Sequence, residues 1–352
     1  MKGKMRAVRL HKPGDLRCEE ISLPQLANDE VLIKVKAVGI CGSDPGRVMV
    51  KGTYSFPMTI GHEFSGQIVE CGPKVTGWQS GDRVTIVPLI PCYQCEYCQI
   101  GAYNLCENYS YYGSRENGSL ADYIKVKAEN LLQVPDNVDD EEAACTDPCS
   151  VALHALRKAE ARPGNTTVVL GTGPIGHFTI QWAKICGAGQ VIAVDVMDEK
   201  LDIAKTVGAD VCINATREDP VKIILDYTDN KGVDYVYEMA GNKITQEQAF
   251  AITKKLGTAV FCGISYSDLP LSKKAVDSLL RKEIKVIGSW NSSFTTLPLH
   301  EWTTVLNFMS SGKIQCKPLI THRFRLEDAP EVFENVFKKE KYFNKVIFLP
   351  EI

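Results

Sequence analysis

The run Val168-Val169-Leu170-Gly171-Thr172-Gly173-Pro174-Ile175-Gly176 constrains this chain more than any other part of its sequence. An apolar, β-branched stretch leads straight into G-x-G-x-x-G, the turn that joins a buried strand to a helix in dinucleotide-binding folds. Gly171 and Gly173 permit a tight turn and the close approach of a pyrophosphate, and Gly176 lets the helix pack on the strand. The helix that Pro174 and Ile175 open presents backbone N–H groups and a favourable dipole to phosphate. Asp195 ends the next predicted strand, where a carboxylate accepts hydrogen bonds from ribose hydroxyls. It would repel a 2′-phosphate, and no Arg follows it closely, so NAD is expected rather than NADP. Lys200, on the following helix, is assigned to the same cofactor site.

The flanking sequence repeats this rhythm. Apolar strands at Thr166–Leu170, Val191–Asp195, Val211–Ile213 and Val233–Tyr237 alternate with helical stretches at Ile175–Cys186, Glu199–Val207 and Val221–Tyr227. Ala259–Cys262 and Lys285–Gly288 read as the last strands of the unit. Strands alternating with helices argue for an α/β fold with a doubly wound parallel sheet. Upstream the texture is different. Val31–Val38, Phe64–Glu70 and Arg83–Val87 are short strands punctuated by Gly and Pro turns, which indicates a β-rich part. After Trp290 the chain is too short for an independent domain and is expected to pack back onto the β-rich part. The expected division is 1–154 with 291–352 against 155–290.

Cys92, Cys95, Cys98 and Cys106, four of 13 cysteines, follow C-x2-C-x2-C-x7-C. Two-residue gaps let thiolates converge on one ion, and four sulfurs close a tetrahedral shell with no place for water, so the site is structural. An iron–sulfur cluster uses the same ligands, and free thiols or disulfides are the bland alternatives. The N-terminus runs directly into strand-like sequence without a signal-peptide core, and no apolar run reaches the roughly 18 residues of a spanning helix. A cytoplasmic protein without a membrane partner is expected. The net charge of −3 likewise gives no electrostatic reason to expect nucleic acid, which weighs against a zinc-ribbon reading of the cysteines.

A second set of soft and borderline ligands lies in Cys41-Gly42-Ser43-Asp44 and Gly61-His62-Glu63-Phe64-Ser65-Gly66. Three protein ligands would leave a coordination position open for chemistry. Alone, such residues are more often packing groups than ligands.

Taken together, these motifs resemble the zinc-dependent medium-chain dehydrogenase/reductase family, the alcohol and polyol dehydrogenases, over essentially the whole chain. The resemblance implies a Rossmann domain for NAD beside a GroES-like catalytic domain, with two zinc ions per subunit. It assigns Cys92, Cys95, Cys98 and Cys106 to a structural zinc, and Cys41 and His62 to a catalytic one. The polyol branch carries Glu-Pro where this chain has Asp147-Pro148, so either Asp147 or Glu63, or a water in its place, completes the catalytic shell. A His that many members place two residues after the Asp of CGSD is here Gly46, so the relay is expected to run through Ser43, water, cofactor hydroxyls or another His, with Ser43 the best-placed candidate to carry a proton outward.

A narrower likeness is to the enzymes of galactitol 1-phosphate metabolism. It is carried by Tyr112-Gly113-Ser114-Arg115, Leu280-Arg281-Lys282-Glu283 and Val286-Ile287-Gly288-Ser289-Trp290. It implies hydride transfer from a secondary alcohol of a sugar-alcohol phosphate to NAD, with Arg115, Arg47 and Trp290 on the substrate. The alternatives are an unphosphorylated polyol such as sorbitol, another small secondary alcohol, or a scaffold that keeps the fold without the chemistry. A homodimer or homotetramer is expected from the resemblance alone.

Overall fold

The structure is a computed structural model that describes residues 3–265, 267–295 and 299–352. The chain divides into two compact units, Met1–Asp147 with Ser293–Gly312 and Ile320–Ile352, and Pro148–Ser292 with Lys313–Leu319. The divisions thus fall at 147/148 and 292/293 rather than at 154/155 and 290/291, and a short C-terminal piece joins the second unit. Gln181 anchors that piece: its Nε2 donates to the Gln315 carbonyl and its Oε1 accepts from Gln315 N–H. A side-chain anchor of this kind leaves no trace in hydropathy.

The first unit begins with β1 (Lys4–Lys12), β2 (Asp15–Ser22), β3 (Glu30–Gly39), β4 (Met58–Thr59) and β5 (Glu63–Cys71). It continues through β6 (Arg83–Ile86), β7 (Leu89–Ile90), β8 (Ser110–Tyr111), β9 (Tyr123–Lys127) and β10 (Leu131–Gln133). β3 is the spine: it pairs antiparallel with β5 and with β9, burying Val31, Ile33, Val35 and Val38. Because β3 and β5 run antiparallel with Gly39 opposite Glu63, the end of one strand delivers Cys41 beside the His62 that opens the other.

The second unit holds β11 (Thr166–Leu170), β12 (Gln190–Asp195), β13 (Val211–Asn214), β14 (Val233–Glu238), β15 (Thr253–Phe261) and β16 (Lys285–Gly288). All five pairings are parallel, in the spatial order β13-β12-β11-β14-β15-β16. This is the doubly wound order, with its switch point between β11 and β14, where ligands bind at the carboxyl ends of the strands. Its core of Val168, Leu170, Ile192, Val194, Val236 and their neighbours is apolar on both sheet faces, as parallel strands covered by helices require.

β17 (Ile320–Phe324) and β18 (Lys345–Phe348) return the chain to the first unit. β18 pairs with the end of β3, Ile347 opposite Gly39, so the tail completes the β-rich sheet as expected. Among the described residues no helix is long and apolar enough to cross a membrane.

Candidate active site

Cys41 follows β3 in a turn that its own carboxylate neighbour stabilises, with Cys41 N–H donating to Asp44 Oδ2 at 3.1 Å. One ligand atom each from Cys41, His62 and Glu63 lies within 4.8 Å of the others. Asp147, on the first turn of the helix Thr146–Lys158, brings Oδ2 to 3.7 Å from His62 Nε2. His62, Glu63 and Asp147 are all buried.

Two buried atoms in this cluster lack hydrogen-bond partners, His62 Nδ1 and Asp147 Oδ1. Polar atoms withdrawn from water are otherwise almost always paired, so an orphaned imidazole and carboxylate side by side mark a place built for something else. A thiol, an imidazole and a carboxylate form a donor set that fits zinc. His62 Nδ1 faces Asp44 Oδ1 at 3.6 Å, the carboxylate that turns the ring so that Nε2 points toward Asp147. Burial raises the Cys41 thiol and pushes the Asp147 carboxyl up to about 7 against the pull of His62. A divalent cation reverses both tendencies by favouring the anions.

Glu63 is differently placed. Its Oε2 is paired with Lys345 Nζ, which also donates to the Ile40 carbonyl, and both side chains are almost wholly buried. The Glu63 charge is therefore already balanced inside the protein, whereas Asp147 Oδ1 has no partner. Ser43 Oγ donates to Cys41 Sγ at 3.3 Å. Arg47 Nη1 donates to Asp44 Oδ1 at 2.5 Å, so this arginine braces the carboxylate behind His62. Arg115 lies between the rings of Tyr54 and Tyr109. Trp290 is half-exposed in the other unit.

The four-cysteine lobe also has metal geometry. Cys92 and Cys98 sulfurs are 3.9 Å apart, as are Cys95 and Cys106 sulfurs. The edge of a tetrahedron with zinc–sulfur bonds of about 2.3 Å is about 3.8 Å. Backbone N–H groups of Gln94 and Cys95 converge on Cys92 Sγ and draw its thiol below the ordinary value.

In the second unit the three motif glycines divide the work. Gly171 has φ +92° and a Cβ there would meet Ala240; a Cβ on Gly176 would lie 2.1 Å from the Gly171 carbonyl; one on Gly173 would meet nothing within 4 Å. The open position is the one a pyrophosphate approaches. Pro174 and Ile175 follow as the first residues of the helix Pro174–Ile185. Parallel register sets Leu170 opposite Val194, so Asp195 reaches the glycine turn and accepts from Thr172 N–H at 2.7 Å. His177 Nε2 lies 2.9 Å from the Lys200 carbonyl and ties the two cofactor-side helices together.

Residues 27–136 match the alcohol dehydrogenase GroES-like domain and residues 174–311 the zinc-binding dehydrogenase domain. The chain is 33% identical to galactitol 1-phosphate 5-dehydrogenase of Escherichia coli over 98% of its own length and 100% of that protein. It belongs to the zinc-dependent medium-chain alcohol and polyol dehydrogenases. Sorbitol dehydrogenase of Bacillus subtilis is equally similar, at 33% identity over 98% of this chain and 97% of that one. A zinc-binding dehydrogenase from Sinorhizobium meliloti, solved with NADP, superposes with a TM-score of 0.92 at 30% identity, covering 99% of this chain and 100% of that chain.

Sequence reasoning about this dehydrogenase passed over three groups. Asp44 stood in the quoted CGSD motif, but its role as the partner of His62 needs the fold. Lys345 left only a faint signal, a lysine at the head of the apolar run Val346-Ile347-Phe348. Tyr111, whose ring meets His62 edge-on at 5.5 Å, left none. Lys282, within the Leu280-Arg281-Lys282-Glu283 segment, donates to the Ala251 and Thr253 carbonyls, because the chain entering β15 presents those carbonyls to it.

Proposed function

We propose that this dehydrogenase oxidises a secondary hydroxyl of a sugar-alcohol phosphate, galactitol 1-phosphate or a close analogue, to the ketone with NAD. The observation that carries the reading is the convergence of ligand atoms from Cys41, His62 and Glu63 within 4.8 Å of one another, with Asp147 Oδ2 3.7 Å from His62 Nε2 and Asp147 Oδ1 buried without a partner. Cys41, His62 and Asp147 would hold a catalytic zinc, and Glu63, neutralised by Lys345, stands beside these ligands. Bound zinc supplies Lewis acidity to the substrate hydroxyl, and bound NAD accepts the hydride. Asp44, braced by Arg47, keeps the His62 ring oriented while the charge on the substrate oxygen changes. Ser43, bonded to the Cys41 sulfur, is the first group to carry the released proton outward, since Gly46 has no side chain to do so. Burial of the metal ligands keeps bulk water from the reacting carbon.

A second zinc in the four-cysteine lobe is structural. NAD is favoured over NADP because Asp195 closes β12, where a carboxylate disfavours a 2′-phosphate, and no Arg follows it closely in the sequence. The Gly171, Gly173, Pro174, Ile175 and Gly176 turn and Lys200 complete that cofactor site. The family likeness extends the proposal to a homodimer or homotetramer, which sedimentation velocity tests.

The second reading is a free polyol such as sorbitol, favoured by the equal identity of the Bacillus subtilis relative. NADH formation with galactitol 1-phosphate, galactitol and sorbitol, each with NAD and NADP, decides between the two. No reduction with any polyol would refute both.

A further inference from the structure

Arg115 is the cation in the first unit whose surroundings make least sense without a ligand. Its guanidinium carbon lies 4.0 Å from the centre of the Tyr54 ring and 4.5 Å from that of Tyr109, so the cation rests on two aromatic rings. Its Nε is buried and has no hydrogen-bond partner. Among the described residues no carboxylate pairs with it; neighbouring Glu116 accepts from Ser110 Oγ instead. Arg47, by contrast, is spoken for by Asp44. Stacking also strips hydration from a guanidinium, and its remaining donors lie in the ring-free plane, edge-on to whatever approaches.

The position of this cation is tied to the metal site. Tyr109 meets Tyr111 at 6.4 Å, and Tyr111 meets His62 at 5.5 Å, so successive ring contacts join the guanidinium to a metal ligand. The turn that carries Arg115 is also pinned from below. A Cβ on Gly113 would lie 2.6 Å from the Gly61 carbonyl, and one on Gly118 would lie 2.1 Å from it, so only glycines let this turn seat against the residue before His62. Tyr54 is held over the arginine by its N–H, which donates to the Ser114 carbonyl, although the residue is 71% exposed. A mostly exposed tyrosine stacked on an acid-free arginine holds the plane of that arginine while leaving its edge open.

From this geometry we infer that Tyr54, Arg115 and Tyr109 form a clamp for a terminal anionic group on the polyol, and that the group is a phosphate monoester. The inference rests on the proposed polyol oxidation and names the substrate class at that same site. A planar fork donates two parallel hydrogen bonds to a phosphate, and the anion supplies the counter-charge that the protein withholds from this arginine. A carboxylate-ended polyol, an aldonate, offers related chemistry with half the charge. Arg115 and its rings then select the substrate, while Arg47 acts through Asp44 on every substrate alike.

The test uses the zinc-loaded enzyme with NAD. The ratio of kcat/KM for galactitol 1-phosphate over galactitol is measured for wild type, Arg115→Gln, Arg115→Lys and Arg47→Gln. Loss of a charge-assisted bidentate partner lowers that ratio by roughly a hundredfold in Arg115→Gln, and less in Arg115→Lys, which keeps the charge but not the fork. Arg47→Gln leaves the ratio near that of wild type. Equal losses on both substrates in Arg115→Gln would overturn the clamp and leave the proposed oxidation standing. A wild type that makes NADH without preferring the ester, or that prefers an aldonate, would overturn the phosphate assignment together with the sugar-alcohol phosphate reading and leave only polyol oxidation standing. If no polyol is oxidised, titration calorimetry still decides: binding of galactitol 1-phosphate that Arg115→Gln abolishes supports the clamp, and no binding refutes it. Should Arg115→Gln fail to fold, Tyr54→Ala removes an exposed ring and is expected to lower the ratio several-fold; an unchanged ratio counts against the clamp.

Discussion

Replacing Lys345 by Met leaves the Glu63 carboxylate buried beside Cys41 and Asp147 with no counter-charge. The pair it breaks is almost fully enclosed, with side-chain exposures of 1% for Lys345 and 3% for Glu63. Removing one partner of such a pair costs about 3–5 kcal/mol, because the remaining charge stays desolvated. At about 2–4 °C per kcal/mol for a unit of this size, Tm should fall on the order of 10 °C. Glu63→Gln strands the lysine and should cost a similar amount. The double variant carries neither charge, so its loss should be smaller than the sum of the single losses by about 2 kcal/mol or more. Gly39→Ala offers an independent route to the same effect, since its Cβ would sit 2.5 Å from Lys345 Nζ and 2.7 Å from Glu63 Oε2. Thermal unfolding of the zinc-loaded protein followed by circular dichroism measures all four. A Lys345→Met protein within about 1 kcal/mol of wild type, or strictly additive losses in the double variant, would show that Lys345 is not the counter-charge of Glu63.

The two metal sites should part under chelation: mild chelator abolishes activity before it alters circular dichroism, because the four-thiolate lobe loses structure only when its own ion leaves. Parallel loss of both signals at every dose would count against separate roles for Cys41–His62 and Cys92–Cys106. Asp195→Ala should raise the KM for NAD by about tenfold or more, since charge-assisted ribose bonds contribute about 1.5–3 kcal/mol each; a KM within twofold of wild type would remove Asp195 from the cofactor site. His177 is buried, and that burial holds its imidazole down at about 4, so on acidification the unfolded chain takes up the proton first. Its stability contribution is complete above pH about 6.5 and is lost as pH falls toward 4, reaching about 2 kcal/mol by pH 5. His177→Gln should therefore lose less stability than wild type between pH 7 and 5 in urea titrations, and an identical pH slope would refute the assignment.

Much of this molecule is legible along the chain because its determinants are local. The strand and glycine turn at Val168–Gly176 give the pattern of a pyrophosphate site within nine consecutive residues, and β11 spans the Thr166–Leu170 stretch read as a strand from the sequence. Two-residue spacing alone brings Cys92, Cys95 and Cys98 onto one point, and the structure closes that lobe with Cys106 at tetrahedral distances. Alternation of apolar strands and helices likewise dictates a parallel sheet, since such strands must be covered on both faces.

What the tertiary structure decided is where charges from distant parts of the chain meet. Glu63 and Asp147 are equivalent carboxylates in the sequence; only the return of β18 along β3 sets Lys345 against the first, while the second keeps one oxygen, Oδ1, without a partner. Arg47 and Arg115 are likewise two similar cations on paper. The turn after β3 binds Arg47 to Asp44, while the seating of a glycine turn on Gly61 lifts Arg115 between two tyrosines. Periodicity and spacing report which face of an element is buried. They carry no information about the partner that burial will supply, because that partner is fixed by strand pairing across hundreds of residues, and a desolvated charge takes its meaning entirely from what it is buried beside.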